Sequence, residues 1–272
     1  MNAPSPLTKV SARSMTTRIA YCMHRGNQLC QQDALLVQGE VRQSRNLRPQ
    51  EKWIDDEILI ALADGVAASP NAHLASHFVL SELPRVLRER AEWCHDGLMN
   101  GRHLREMHAR LCEELANRPQ MYGGSTTIVA AHIKGRHAAV VNTGDSRAYL
   151  RRRDGSVCQL SKDHTELQRL RDAGEADATT EYASLFSALS DCLIADSEEG
   201  GFEIHVVTLI LAPDDVLLLC TDGVHDVLGD TPWQTLIAQH SDPLTLVQAA
   251  RSALLADGAY DNFSMIALMA QA

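Results

Sequence analysis

Paired cysteines are missing from this chain of 272 residues. Its seven cysteines, Cys22, Cys30, Cys94, Cys112, Cys158, Cys192 and Cys220, are odd in number and scattered, with no Cys-x-x-Cys pair. That excludes a disulfide framework and a zinc-thiolate site, and leaves most of them to read as small buried hydrophobes. Membrane-length apolar runs are missing too, and the opening MNAPSPLTKVSARSMTT has no apolar signal core, so a cytoplasmic protein is expected, with no membrane contact. Positive charge is in deficit: the net charge is −10, which argues against a nucleic-acid backbone or an anionic lipid surface as the main partner. Gly123-Gly124-Ser125 is not followed by Gly-Lys-Ser/Thr, so it is no P-loop, and no Gly-x-Ser-x-Gly elbow occurs. His73 and His77 have the spacing of metal ligands on a helix, but no glutamate base lies between them and no third ligand is evident, which favours a solvated helix face. Arg151, Arg152 and Arg153 close a strand, as solvated edges commonly do.

What is present begins with a hydrophobic content of 45%, enough for a sizeable core. Residues 1–15 read as a flexible tail and 16–272 as a single domain, with no internal repeat or linker. Strands are expected at Thr16 to Cys22, Ala34 to Gln38 and Ile58 to Ala63, with a polar surface loop at Gly39 to Glu51. Helical spacing predicts helices over Ala72 to Arg90, with a kink at Pro84, and over Leu104 to Ala116. Strands at Ser125 to Ile133, His137 to Asn142, Arg147 to Arg152 and Val157 to Leu160, separated by short turns, suggest an antiparallel meander. A short helix at Glu166 to Ala173 precedes a mobile insertion from Glu175 to Gly201, the two together forming a flap-like segment at about 166–201. Strands follow at Phe202 to Leu211 and Val216 to Cys220. Helices are expected at Pro232 to Gln239, capped by Thr231, and at Pro243 to Ala256, before a last strand at Phe263 to Met269. This order fits an α+β protein: a four-layer α-β-β-α sandwich of two mostly antiparallel sheets flanked by helices.

Six aspartates fall at strand boundaries: Asp33, Asp64, Asp145, Asp222, Asp226 and Asp261. Two of them end buried-strand runs, ILIALADG and VLLLCTDG, although Asp-Gly alone is also an ordinary turn. Packed sheets can bring strand ends to a common edge. Carboxylates gathered there repel unless cations sit among them, and hard ions such as Mg²⁺ or Mn²⁺ are the natural occupants. Two such ions about 3.5 to 4 Å apart activate a shared water and clamp a phosphoryl group.

The motifs QQDALLV, ILIALADG, GGSTTIVAAHI, VVNTGDSRAYLRR, QLSKDHT, LLLCTDGVHDVL and DNFSMIAL, in this order, resemble those of the metal-dependent serine/threonine protein phosphatases of the 2C type. The resemblance implies a β-sandwich with two Mn²⁺ or Mg²⁺ ions at one edge and a metal-bridging hydroxide that attacks phosphorus directly. It implies that Asp64 bridges both metals, that Gly65 offers its carbonyl to one, that Asp222 and Asp261 ligate the other, and that Asp33 holds metal-bound waters. Asp145 and Asp226 match the positions of a weaker third metal. It implies a monomeric bacterial enzyme that acts on phosphoproteins and opposes a eukaryotic-like Ser/Thr kinase, with a looser similarity to members associated with type VI secretion.

Three positions depart from the family pattern. Gln28 stands where the family often has a phosphate-binding arginine, and Arg25 is the nearest substitute; Gln32 replaces a glutamate; Val66 replaces a histidine proton donor found in animal members. These departures motivate an alternative, a catalytically weak or inactive phosphatase-like domain that acts as a phosphoprotein-binding signalling module. A two-metal nuclease fits the same chemistry but conflicts with the acidic balance.

Overall fold

The computed structural model describes residues 16–54, 57–114, 117–176, 188–196 and 201–270. The expected tail therefore lies outside the described residues, as do Leu115, Ala116 and most of the expected insertion after Glu175. In chain order the strands and helices begin with β1 (Thr17–His24), β2 (Ala34–Val37), β3 (Glu40–Arg42), β4 (Asn46–Ile54), β5 (Glu57–Ala63), α1 (Ala72–Glu89) and α2 (Gly101–Glu114). Next come β6 (Ser125–Thr126), β7 (Ile128–Lys134), β8 (His137–Thr143), β9 (Arg147–Arg151), β10 (Val157–Gln159), α3 (Glu166–Asp172) and β11 (Leu193–Ile194). The chain ends with β12 (His205–Ile210), β13 (Val216–Cys220), α4 (Asp222–Leu228), α5 (Asp230–Gln239), α6 (Pro243–Ala256) and β14 (Phe263–Ala270).

The strands form two six-stranded sheets, ordered β10-β9-β13-β14-β1-β4 and β12-β8-β7-β5-β2-β3, and a small ladder of β11 with β6. Every pairing between these strands is antiparallel. Because side chains alternate along a strand, each central strand feeds two cores. Ile19, Tyr21, Leu217, Leu219, Ile58, Ile60 and Leu62 meet between the sheets. Leu59, Ala61 and Ala63 face α1 and α2 instead, while Ala20, Cys22, Val216, Leu218 and Cys220 face α4 to α6. Burial on both faces explains the unbroken apolar runs and produces the expected four layers, helix, sheet, sheet and helix.

Three local expectations are corrected. The segment Gly39 to Glu51 is not a loop: it holds β3 and much of β4. β4 pairs with β1 alone, and its register slips between Tyr21 and Met23, so Arg48 and Pro49 together oppose Cys22. A bulge on an edge strand is where proline does least harm to a ladder. The Asp222-Gly223 turn is instead the start of α4, with Thr221 as its cap residue. α5 begins at Asp230 after Gly229, not at Pro232 after Thr231, because Gly229 both closes α4 and opens α5: its N–H donates to His225 O and its carbonyl accepts from Trp233. α1 runs from Ala72 to Glu89 with Pro84 inside it.

The expected meander is also divided between sheets. β7 and β8 are a hairpin in one sheet, β9 and β10 a hairpin in the other, and Gly144-Asp145-Ser146 carries the chain across. The chain likewise crosses between β1 and β2. Those crossings, the ends of β5 and β13 and the start of β14 all fall at the same end of the sandwich, since each neighbouring pair is antiparallel and in register there.

The intersheet core makes a stability prediction. Leu217→Ala, buried at the centre, should cost about 2–5 kcal/mol in urea unfolding, whereas Ile210→Ala on the exposed edge strand β12 should cost under about 0.5 kcal/mol. Equal losses would mean that Leu217 is not part of a packed intersheet core.

Candidate metal centre

At that end of the sandwich, Asp64, Gly65, Val66, Ala67, Thr127, Asp145, Asp222, Asp261 and Asn262 line a cleft of about 160 Å³. Asp64 follows β5, Asp145 lies at the intersheet crossing, Asp222 opens α4 and Asp261 precedes β14. The strand ends thus deliver four of the six expected carboxylates to one opening. Asp222 also gains from its place in the first turn of α4, where the free N–H groups favour a negative charge.

Asp33 lies beneath the cleft, fully buried. Its Oδ2 accepts hydrogen bonds from Ser264 Oγ at 2.7 Å and Thr221 Oγ1 at 3.1 Å. Its Oδ1 is buried and has no hydrogen-bond partner. Such an orphan is rare in folded proteins and calls for an occupant. Asp226 is placed otherwise: with Asp145, Asp163 and Asp230 it lines a second, adjoining cleft of about 350 Å³. Asp145 belongs to both. His225 joins the two, its Nε2 3.2 Å from the Asp145 carbonyl oxygen and its Nδ1 2.9 Å from Asp226 Oδ1.

Burial and mutual repulsion dominate the electrostatics. Burial pushes Asp33 up to about 7; the Ser264 and Thr221 hydroxyls oppose that rise, and the charges of Asp222 and Asp261 reinforce it. Asp64 is raised well above the ordinary carboxylate range by burial, then by the charges of Asp222 and Asp33 and a hydrogen bond shared with Asp222. Asp145 is raised in the same way by burial and by Asp222, Asp163 and Asp226. Burial and Asp222 also raise Asp261, against hydrogen bonds from Asn262 and Gln28. Asp226 moves the other way: burial would raise it, but its hydrogen bond and attraction to His225, with Arg147 nearby, hold it low.

The donor set is all carboxylate and carbonyl oxygen, which selects hard divalent ions over zinc or copper. Among the described residues, no three His, Cys, Asp or Glu side chains are gathered closely enough to enclose an ion as they stand. The site is an open ring of carboxyls, of which Asp64, Asp145 and Asp261 are pushed toward the protonated form, with the unpartnered Asp33 Oδ1 at its base. Divalent cations fit it because they would replace both the protons and the missing partner.

Backbone contacts hold the ring in place. Asp64 O accepts from Thr127 N at 2.8 Å and from Thr126 Oγ1 at 2.8 Å, while Thr127 Oγ1 sits 2.8 Å from Ser146 Oγ, beside Asp145. A Cβ on Gly223 would lie 1.9 Å from Asn262 O, so only glycine lets α4 approach the loop that carries Asp261. Arg147 clamps the second cleft, with Nη2 2.6 Å from Asp163 Oδ2 and Nη1 2.6 Å from Asp230 Oδ1.

The two expected phosphate contacts are at the margin. Gln28 donates to Tyr260 O at 3.1 Å and reaches the Asp261 carboxyl, whereas Arg25 donates to Leu29 O at 3.3 Å, within its own loop. Neither lines the cleft itself. Sequence reasoning missed Thr221, Ser264, Asn262, His225 and the Arg147 clamp. Thr221 and Asn262 adjoin singled-out aspartates and could have been found as neighbours; Ser264 had no signal.

Comparisons with known proteins agree with this geometry. The family model described as protein phosphatase 2C matches residues 22–257. The serine/threonine protein phosphatase PstP of Mycobacterium tuberculosis is 29% identical over 218 residues, which cover 76% of this chain but 39% of PstP, so the chain spans about two-fifths of that relative's length. The serine/threonine phosphatase stp of Listeria welshimeri is 25% identical over 188 residues, covering 67% of this chain and 73% of that protein. In fold, the catalytic domain of PstP in complex with two manganese ions superimposes with a TM-score of 0.69 at 22% identity, covering 95% of this chain and all of that one. By the extent of the family match and the shared architecture, the chain belongs to the protein phosphatase 2C family.

Proposed function

We propose that this chain hydrolyses phosphoserine and phosphothreonine on proteins, opposing a Ser/Thr kinase, with two Mn²⁺ or Mg²⁺ ions held by Asp64, the Gly65 carbonyl, Asp222 and Asp261. The observation that carries this reading is the buried, unpartnered Asp33 Oδ1 under a ring of carboxyls that burial and mutual charge push toward protonation. PstP, to which the chain is similar, was crystallised with two manganese ions. When bound, a pair of such ions supplies Lewis acidity and lowers the pKa of a shared water. Asp145 and Asp226, in adjoining clefts joined by His225, are the candidates for a third, weaker site.

The side chains divide the remaining work. Asp33 Oδ2 is pinned by Ser264 and Thr221, so Oδ1 can orient a water hydrogen without rearrangement. Gln28, a neutral amide beside Asp261, can donate to a phosphate oxygen but adds no charge, which weakens ground-state phosphate binding relative to an arginine. Val66 lines the cleft and has no titratable group, so the leaving alkoxide takes its proton from solvent. No structural observation favours the alternative of a binding module without turnover.

Asp222→Asn tests the reading. With Mn²⁺, the purified protein should hydrolyse a phosphothreonine peptide, and EDTA should abolish turnover; Asp222→Asn should lower kcat by about a hundredfold or more while the circular dichroism spectrum is unchanged. Full turnover by that variant would remove Asp222 from the site.

Metal binding should also couple to pH. Carboxyls raised in the fold, Asp33 to about 7 against 3.8 for a free side chain, contribute stability to the metal-free protein when protonated and lose it as pH rises through about 7. Ions replace those protons, so the rise in Tm on adding Mn²⁺ should be larger at about pH 8 than at about pH 6. An equal rise at both pH values would place the ions elsewhere.

A further inference from the structure

Two loops meet at one lip of the cleft. Residues 25–32, between β1 and β2, and residues 257–262, between α6 and β14, are joined by direct hydrogen bonds. Asn27 N donates to Ala259 O at 2.8 Å, Asn27 Nδ2 to Gly258 O at 2.7 Å, and Gln28 Nε2 to Tyr260 O at 3.1 Å. In return Asn262 Nδ2 donates to the carbonyls of Arg25 at 2.7 Å and Cys30 at 3.1 Å, and Asn262 Oδ1 accepts from Gln32 N at 2.6 Å. Gly26, at φ +62°, makes the approach possible, since a Cβ there would lie 2.1 Å from Asp261 O. The two loops therefore form one wall continuous with Asp261 and Asn262 of the cleft.

That wall presents Leu29, 93% exposed, and Tyr260, 66% exposed. Single exposed apolar residues need no explanation. These two differ in position: Leu29 follows Gln28, Tyr260 precedes Asp261, and Gln28 donates to the Tyr260 carbonyl. Tyr260 is thus one residue from the cleft-lining Asp261 and Leu29 three from the cleft-lining Gln32, both on backbone held by the hydrogen bonds between the loops. The chemistry of this lip also differs from that of the adjoining cleft. Residues 25–32 and 257–262 carry three charged side chains, Arg25, Asp257 and Asp261, whereas Asp145, Arg147, Asp163, Arg171, Asp226 and Asp230 line the second cleft.

We propose that Leu29 and Tyr260 form a specificity platform that receives an apolar side chain of the substrate, within two or three residues of its phosphorylated residue. The inference rests on the phosphatase reading. An extended peptide advances about 3.3 Å per residue, so a phosphoresidue in the cleft places its near neighbours over the adjoining wall. Because the wall is held by hydrogen bonds before substrate arrives, apolar contact there is gained without ordering a loop. The platform acts on peptides and leaves a small aryl phosphate untouched.

The test compares two phosphothreonine peptides of equal length, one flanked by leucine and one by serine, with p-nitrophenyl phosphate as a substrate too small to reach the wall, all with Mn²⁺. The wild-type protein should favour the leucine-flanked peptide by about tenfold in kcat/KM, carried by KM. The double variant Leu29→Ser, Tyr260→Ser should lose that preference while its p-nitrophenyl phosphate turnover stays within about twofold. Both residues are exposed, so the variant is expected to fold. Absence of a preference in the wild type, or its survival in the variant, overturns the platform while p-nitrophenyl phosphate turnover still upholds the phosphatase. If neither peptide nor p-nitrophenyl phosphate is hydrolysed by the wild type, the phosphatase reading fails and takes the platform with it.

Discussion

Repulsion among carboxyl groups pressed against the dry edge of a sandwich is the constraint on which the site depends. Asp33, Asp64, Asp145, Asp222 and Asp261 are coupled through charge, and burial denies them the water that would otherwise separate them. Without cations, Asp33, Asp64, Asp145 and Asp261 are pushed toward their protonated forms. Asp33 shows why protons are an incomplete answer, since its Oδ1 still has no partner. The same strain is what suits the edge to the divalent ions proposed for it. Stability given up at the edge is offset by the three apolar layers behind it.

Those layers also set the geometry. β5 and β13 are buried on both faces, so neither can slip by one residue without driving apolar side chains to the wrong core. Fixed register places Asp64 and Asp222 immediately beyond strands whose positions are determined elsewhere. Asp145 is fixed differently, by the crossing from β8 to β9, and the Thr127 to Ser146 hydroxyl contact ties that crossing to the end of β5. The proposed ligands are therefore carried by rigid elements, as a site that holds ions at defined positions requires.

How much of this could be read from the chain alone depends on what each residue signals. ILIALA and VLLLC are legible because burial on both faces leaves a run that only a central strand explains at that length, and the aspartates that end them follow directly. β4 was not legible: as an edge strand with a proline bulge, NLRPQEKWI alternates in and out of solvent in a pattern close to that of a polar loop. α4 was hidden because Asp-Gly reads equally as a turn or as the first residues of a helix, and Gly223 is required by a tertiary approach to Asn262 that no local pattern encodes. Thr221 and Ser264, which pin Asp33 across more than 180 residues of sequence, are single hydroxyls with no periodicity to mark them. The partition of Asp226 into a separate cleft was equally a matter of three dimensions.

Charge balance at the cleft bears on what the protein can recognise. Asp64, Asp145, Asp222 and Asp261 line it, and two divalent ions would neutralise four carboxylates without leaving an excess of positive charge. An arginine at position 28 would tip that balance toward a phosphate dianion; glutamine does not, and Arg25 is engaged with the backbone of its own loop. The molecule as a whole, at −10, gives no long-range attraction for a phosphorylated partner either. On the proposed mechanism, phosphate recognition would come from direct contact with the ions, which is the same for every phosphoprotein and cannot distinguish among them. Discrimination is left to surfaces that touch the rest of the peptide, and the hydrogen-bonded wall bearing the exposed Leu29 and Tyr260 is placed to supply it.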